Sequence, residues 1–286
     1  MKIKILGIMT CMILMLSISS VAEPIEIKQI SNETIMINDD VPSWNKDDSW
    51  TYRLDEINID YNVGGQKIFM DGNIDDFKWA VTDTSGSNYK VDFRGKPTAE
   101  YEIRLPLSSM TLGINGTFKS ALTRITGTIT FTKSDLEIVD ISAEIKGISV
   151  AKIYPIPIPL PIPFKLTFET DFNKDIPIFD FPLVEPTQSW FILNLNANMD
   201  LTIGGIFGLI KIPINFNSNY PLVIFECEGK QDIAVAAGIF SAYRIRPIIG
   251  DFFEYYYAPS VGNLVKIEFN MPNGNIRGEL ISTNRL

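Results

Sequence analysis

From Leu193 to Ile203 every odd position is apolar (Leu193, Leu195, Ala197, Met199, Leu201, Ile203) and every even position is polar (Asn194, Asn196, Asn198, Asp200, Thr202). A two-residue period sends successive side chains to opposite faces of a pleated ribbon, so this stretch predicts a strand between a core and water. Ile125, Gly127, Ile129 and Phe131 alternate with threonines in the same way. Ile141, Ala143 and Ile145 alternate with Ser142, Glu144 and Lys146, and Val265, Ile267 and Phe269 with Lys266, Glu268 and Asn270. No stretch of similar length carries the spacing of an amphipathic helix, and the expected class is all-β, antiparallel, with little helix. Trp50, Tyr52 and Leu54 share one phase, whereas Ile57, Ile59, Tyr61 and Val63 share the other. One extra residue near Asp55-Glu56, as in a β-bulge, reconciles them. Gly64-Gly65, Asp71-Gly72, Ser85-Gly86 and Asn273-Gly274 read as turns.

The chain also resembles itself. Ser49 to Gly65 (SWTYRLDEINIDYNVGG) aligns with Ser189 to Gly205 (SWFILNLNANMDLTIGG), sharing Ser, Trp, Asn, Asp and both glycines. Phe131, Ser134, Ile138, Val139 and Ile141 correspond in order to Tyr257, Ser260, Leu264, Val265 and Ile267. Two matches in the same order point to two tandem units, each a curved antiparallel sheet of half-barrel or sandwich type. Between them runs Tyr154 to Phe164, YPIPIPLPIPF. Its alternate prolines remove backbone donors and bar a helix or a central strand, leaving polyproline II or an edge piece. Ile156, Ile158, Leu160 and Ile162 then project together, either along a stiff linker or as an apolar flap over a cavity. The expected organisation is a signal peptide over 1–22, a polar linker over 23–48, a first β unit over 49–147, an Ile/Pro-rich connector over 148–188 and a second β unit over 189–286.

The N-terminus sets the expected compartment. Lys2 and Lys4 precede an apolar run from Ile5 to Ile18, and Ser20, Val21 and Ala22 supply the small residues of a cleavage site. The run is short for a membrane span, so export with a chain starting at Glu23 is expected, and a retained anchor is the alternative. Cys11 leaves with such a signal, making Cys227 the one remaining thiol and excluding an intrachain disulfide. No second long apolar run follows, so no permanent anchor is expected after signal removal. Without Lys2 and Lys4 the chain has 23 Lys plus Arg against 34 Asp plus Glu, a balance of −11 that disfavours nucleic acid and anionic membrane surfaces as partners. Two glycosylation sequons occur, at Asn32 and Asn115, where use and chance remain open alternatives.

The chain contains no histidine, which removes Ser-His-Asp and Cys-His catalysis and every His-ligated metal site. A lone thiol in an apolar setting suits a core position. The oxygens of Asp71-Gly72-Asn73-Ile74-Asp75-Asp76 alternate as in calcium loops, but Asp76 replaces the required glycine and Thr82 the closing glutamate. A solvated Asx-Gly turn is the preferred reading. Acidic residues are plentiful, but no pattern sets two at a defined separation, and a carboxylate-dependent hydrolase stays a remote alternative. No enzyme activity, cofactor or metal is expected. Tyr255 and Tyr257 share one strand face as a candidate stacking surface, with core packing the competing reading.

The C-terminal block, Gly238 to Ile245 (GIFSAYRI) followed by Tyr256 to Lys266 (YYAPSVGNLVK), resembles a motif of uncharacterised exported archaeal and bacterial proteins. Ser134 to Val139 looks like a relative of the same closing hairpin. Some such families are similar to lipoprotein-carrier half-barrels, and that resemblance implies a curved sheet enclosing an apolar ligand. Pro259 and Gly262 have a local reason as well, since one fixes a turn dihedral and the other permits a left-handed one. The expected function is an exported, non-catalytic binder of an apolar or amphiphilic ligand or of a cell-envelope partner, using Ile156, Ile158, Leu160, Ile162, Tyr255 and Tyr257. A structural or adhesive envelope protein with no small-molecule ligand is the alternative.

Overall fold

A computed structural model describes residues 41–63, 66–106, 111–154, 158–172, 179, 181, 183, 187–205, 208–248, 253–271 and 274–285. The expected signal, most of the linker with Asn32, and Ile156 lie outside them. The described chain is all-β and contains no helix. Its strands are β1 Ser49–Val63, β2 Gln66–Asp83, β3 Asn88–Gly95, β4 Thr98–Pro106, β5 Thr111–Phe118, β6 Thr123–Thr132 and β7 Ile138–Tyr154. They continue as β8 Leu160–Phe172, β9 Thr187–Gly205, β10 Gly208–Val235, β11 Gly238–Pro247, β12 Phe253–Ala258, β13 Asn263–Met271 and β14 Gly274–Thr283. All pair antiparallel in one 14-stranded sheet.

The expected phase slip is real: the ladder between β1 and β14 shifts between Leu54 and Glu56, so that Asp55 is the extra residue. The turn expected at Asp71-Gly72 is not there. Both residues lie inside β2, paired with Asn58 and Ile57 of β1 and with Glu100 and Ala99 of β4. Gly72 is needed for close approach instead. A Cβ there would sit 2.3 Å from the Thr98 carbonyl oxygen and 2.4 Å from Ala99 Cβ. At this point β2 forks, pairing with β4 over Lys67–Asn73 and with β3 over Lys78–Asp83. β7 forks in the same manner, to β6 over Ile138–Gly147 and to β5 over Val150–Tyr154. There Gly147 admits the start of β6, with the Leu122 carbonyl oxygen 2.1 Å from where a Cβ would stand.

The two expected units share this one sheet. β1 lies between β2 and β14, so the ladder returns on itself. The closure covers only one end, here called the lower. β11 reaches no higher along β10 than the pair Phe225↔Pro247, and β14 no higher along β1 than Ile59↔Gly274. Above those rungs β10 extends as Gly208–Ile224 with β9 on one edge and no described partner on the other. Among the described residues the wall is closed below and notched above the short strands β11–β14, so it is not a barrel closed over its full height.

The described prolines, Pro161 and Pro163, lie on an edge piece, as expected. Leu160–Phe164 pairs with Gly147–Ala151 of β7, and from Phe164 onward β8 runs between β7 and β9. A central strand therefore does form beyond the prolines. Pro163 directs its carbonyl toward Gly204 of β9, 3.6 Å from that residue's would-be Cβ. A residue's N–H and C=O share one strand edge, so the missing donor falls on the β9 side, where the ladder begins only after the prolines.

Candidate functional site

The lower end is filled by aromatic side chains. Trp50, Phe77, Phe93, Phe131 and Tyr257 are fully buried. Trp44, ahead of β1 in the stretch read as polar linker, is 4 % exposed. Its ring centroid lies 5.2 Å from those of Trp50 and Tyr89 and 5.3 Å from that of Phe131. Its indole N–H donates to the Gly262 carbonyl at 2.8 Å, and its backbone N–H to the Tyr89 hydroxyl at 3.2 Å. From the connection between β8 and β9, Phe179 and Leu183 are buried, and the Phe179 ring sits 4.9 Å from Tyr257.

Tyr255 and Tyr257 are thus core residues beside Phe179 and Phe181 rather than an open stacking surface. Burial, and next to it the charge of Cys227, raises the Tyr255 hydroxyl's pKa far above its ordinary value, and burial alone raises that of Tyr52. Cys227 is itself buried, as expected. A small apolar recess at the fork of β2 is lined by Ile57, Met70, Ile74, Ala99, Ile125 and Ile145. Its volume of about 10 Å³ admits roughly one water molecule and no larger ligand.

The upper end is covered less completely. Ile103 of β4, Ile153 of β7, and Leu160, Phe164 and Leu166 of β8 pack against the core but stay half-buried. Ile162 is buried, whereas Ile158 is 62 % exposed beyond the rim and Tyr154, at the end of β7, is 72 % exposed. The residues read as an apolar flap therefore divide, with Leu160 and Ile162 on the inner wall and Ile158 at a hairpin tip. Phe118 stacks on Tyr101 at 4.4 Å and on Phe164 at 4.7 Å, forming the floor of the half-covered region. One polar group reaches this floor. The Tyr101 hydroxyl lies 2.7 Å from Ser149 Oγ, which donates to the Thr117 carbonyl at 3.0 Å.

The outer wall is charged and paired. Arg244 bridges Glu228 at 2.8 Å and Glu254 at 2.5 Å, and Lys266 meets Glu268 at 2.8 Å. Arg53 meets Glu279, and Arg246 meets Glu226 and Glu228. Glu102 accepts from Lys67 at 2.6 Å and from Arg104, and the Lys67 bond chiefly holds its carboxyl below the usual range. Lys146 and Lys165 do the same for Glu144. On the strands that carry them, such outward charges are the reverse of the apolar band on a lipid-embedded barrel. Among the described residues no group of three or more His, Cys, Asp or Glu is placed to hold a metal ion. Asn115 is exposed on the outer face of β5, whereas its sequon threonine, Thr117, is half-buried. No family model, curated protein or solved structure matches this chain.

Proposed function

We propose that this is an exported, non-catalytic protein that shelters an apolar or amphiphilic ligand against the inner wall of its notched upper end. The observation that carries the reading is the contrast between two ends of one sheet. Below, the chain's own aromatic groups fill the interior. Above, Ile103, Ile153, Leu160, Phe164 and Leu166 line a wall that the short strands β11–β14 leave half-covered. An apolar surface kept partly open in an otherwise charged shell is the usual form of a binding groove. The Tyr101–Ser149 pair supplies the kind of single polar contact that orients a ligand in such a groove. The resemblance to carrier half-barrels agrees with this reading. A non-catalytic role is favoured because the chain contains no histidine and its sequence sets no two carboxylates at a defined separation.

The test is to purify the chain without residues 1–22 and analyse its native mass and organic extract. A stoichiometric lipid-like molecule that disappears in Leu160→Asp, with the fold retained, is expected. A packed lower interior filled by Trp44, Phe179 and Leu183 also suits a structural envelope protein. A native mass with no bound species in wild type and variant alike selects that alternative.

A further inference from the structure

The inner wall of the upper half carries one polar contact, and its hydrogens have a single consistent arrangement. The inward residues around Tyr101 and Ser149 on β4, β5, β7 and β8 are apolar: Ile103, Ile114, Phe118, Ala151, Ile153 and Ile162. Ser149 is fully enclosed. Its one hydroxyl hydrogen goes to the Thr117 carbonyl oxygen, 3.0 Å away, which can only accept. The Tyr101 hydroxyl, 2.7 Å from Ser149 Oγ, is therefore the donor of that pair. Were Ser149 to donate to the tyrosine instead, its oxygen and the Thr117 carbonyl would face each other with no hydrogen between them, inside an apolar wall.

With its hydrogen committed, the Tyr101 oxygen offers only a lone pair to anything else. The ring is held by stacking on Phe118 at 4.4 Å, and Gly116 of β5 makes room for the hydroxyl, since a Cβ there would lie 2.8 Å from it. Tyr101 is 8 % exposed and Ser149 not at all, so an occupant of the groove meets this pair at the tyrosine. Among the described residues of β4, β5, β7 and β8, every lysine and arginine is exposed on the outer face. Of these, Arg104 is bonded to Glu102, and Lys146 and Lys165 to Glu144. A carboxylate or phosphate brought to the inner wall would lose its water, find no counter-charge and meet an acceptor. Burial raises the pKa of the Tyr101 hydroxyl, which keeps the phenol neutral and its hydrogen in place.

We infer that the groove selects uncharged amphiphiles whose polar end donates a hydrogen bond, such as a long-chain alcohol, with the Tyr101 oxygen as the acceptor that selects them. This rests on the groove proposed above and adds the chemistry of its occupant. The apolar part of such a molecule lies along Ile103, Ile153, Leu160 and Phe164, the half-buried residues of the wall. Ethers, which only accept, and carboxylates, which carry charge, are disfavoured by the same oxygen. Ser149 is a positioning residue. It does not touch the occupant and acts by holding the tyrosine's hydrogen.

The experiment measures displacement of the apolar fluorophore N-phenyl-1-naphthylamine from the chain lacking residues 1–22, whose apolar run would bind such probes by itself. The described fold begins at Val41 and is untouched by that truncation. The competitors are decanol, decyl methyl ether and decanoate at about pH 8, where the last is ionised. Wild type is compared with Tyr101→Phe and Ser149→Ala through the ratio of decanol to ether affinity, because each competitor's own aversion to water cancels between proteins. Tyr101→Phe is expected to lower that ratio roughly three- to tenfold, the weight of one hydrogen bond. Ser149→Ala releases the Tyr101 hydrogen to donate, so the ether is expected to gain while decanol holds its affinity, and the ratio falls again. A merely structural role for the pair would shift the unfolding midpoint of both variants and leave the ratio alone. The same ratio in all three proteins, or decanoate bound by wild type as tightly as decanol, would overturn the inference and leave the groove standing. A wild type that binds neither the fluorophore nor decanol would remove the groove and this inference with it. If Tyr101→Phe fails to fold, the Ser149→Ala ratio decides.

Discussion

Replacing Trp44 by alanine tests whether the residues ahead of β1 seal the lower end or merely trail from it. The indole is almost wholly buried among Trp50, Tyr89 and Phe131, and it donates to the Gly262 carbonyl in the turn between β12 and β13. Truncating a buried tryptophan to alanine costs about 3–5 kcal/mol through lost transfer energy and the cavity left behind. Leaving the Gly262 carbonyl without its donor adds to this about 1–3 kcal/mol where water cannot reach it. Against a total stability of about 5–15 kcal/mol, such a loss moves a urea midpoint far outside error. Trp44→Phe removes the hydrogen bond but keeps most of the packing, and is expected to cost less than Trp44→Ala. Equilibrium urea unfolding followed by tryptophan fluorescence is the assay, and the order wild type, Trp44→Phe, Trp44→Ala at constant slope is expected. A Trp44→Ala midpoint within about 0.5 kcal/mol of wild type, the range of an ordinary surface change, would refute the sealing role.

Gly72→Ala is expected to destabilise by about 1–3 kcal/mol despite adding a single methyl group, because that methyl meets backbone at the fork of β2; a melting temperature equal to wild type would count against the fork. Glu102 and Glu144 have carboxyl pKa values below the usual 4.5, so their ion pairs contribute stability above that pH and lose it as pH falls through the lowered values. Melting temperature should therefore be level from neutral pH to about 5 and decline below about 4.5, and less steeply in Glu102→Gln. At the alkaline end, burial raises the hydroxyls of Tyr52, Tyr101 and Tyr255, so the folded state keeps them neutral while the unfolded state ionises near the usual 10.0. Stability is expected to fall as pH rises past that value, and ultraviolet titration should show these tyrosines ionising together with unfolding.

Local alternation carried the strands well, because a period of two is a property of neighbouring residues. β6, β9 and β13 contain the runs read from sequence, and the slip at Asp55 appears where the phase changes. The turn after β12 is formed as its residues suggest, with Gly262 at φ +65° and its N–H donating to Ala258. In the turn between β6 and β7, Leu136 takes a similar left-handed conformation at φ +54° without being glycine, and no local residue signal announces it. Long-range pairing was illegible for a different reason. Nothing local in Trp50–Ile59 announces β14 as a partner, and a glycine that admits a crossing strand, Gly72, carries the same signature as one that makes a turn. Prolines at 161 and 163 were tolerated because their missing donors fall on one edge only, and edge direction depends on register. Trp44 was invisible as a core residue because a single aromatic in a polar stretch has no period. The sequence did mark the Ile/Pro segment as unusual, but not that it would divide between inner wall and exposed tip.

The central structural claim is a ladder closed at one end and open at the other, and residue-resolved amide hydrogen exchange along β10 tests it most directly. Over Phe225–Cys227, where β9 and β11 both bond the strand, slow exchange is expected at successive amides, and over Glu228–Val235, with β11 alone as described partner, at alternate ones. Over Gly208–Ile224, with β9 alone as described partner, slow and fast amides should alternate as the N–H groups point by turns into the ladder and into the notch. Uniform protection along the whole of β10 would mean that another strand fills the notch, and the account of an open upper groove would be wrong.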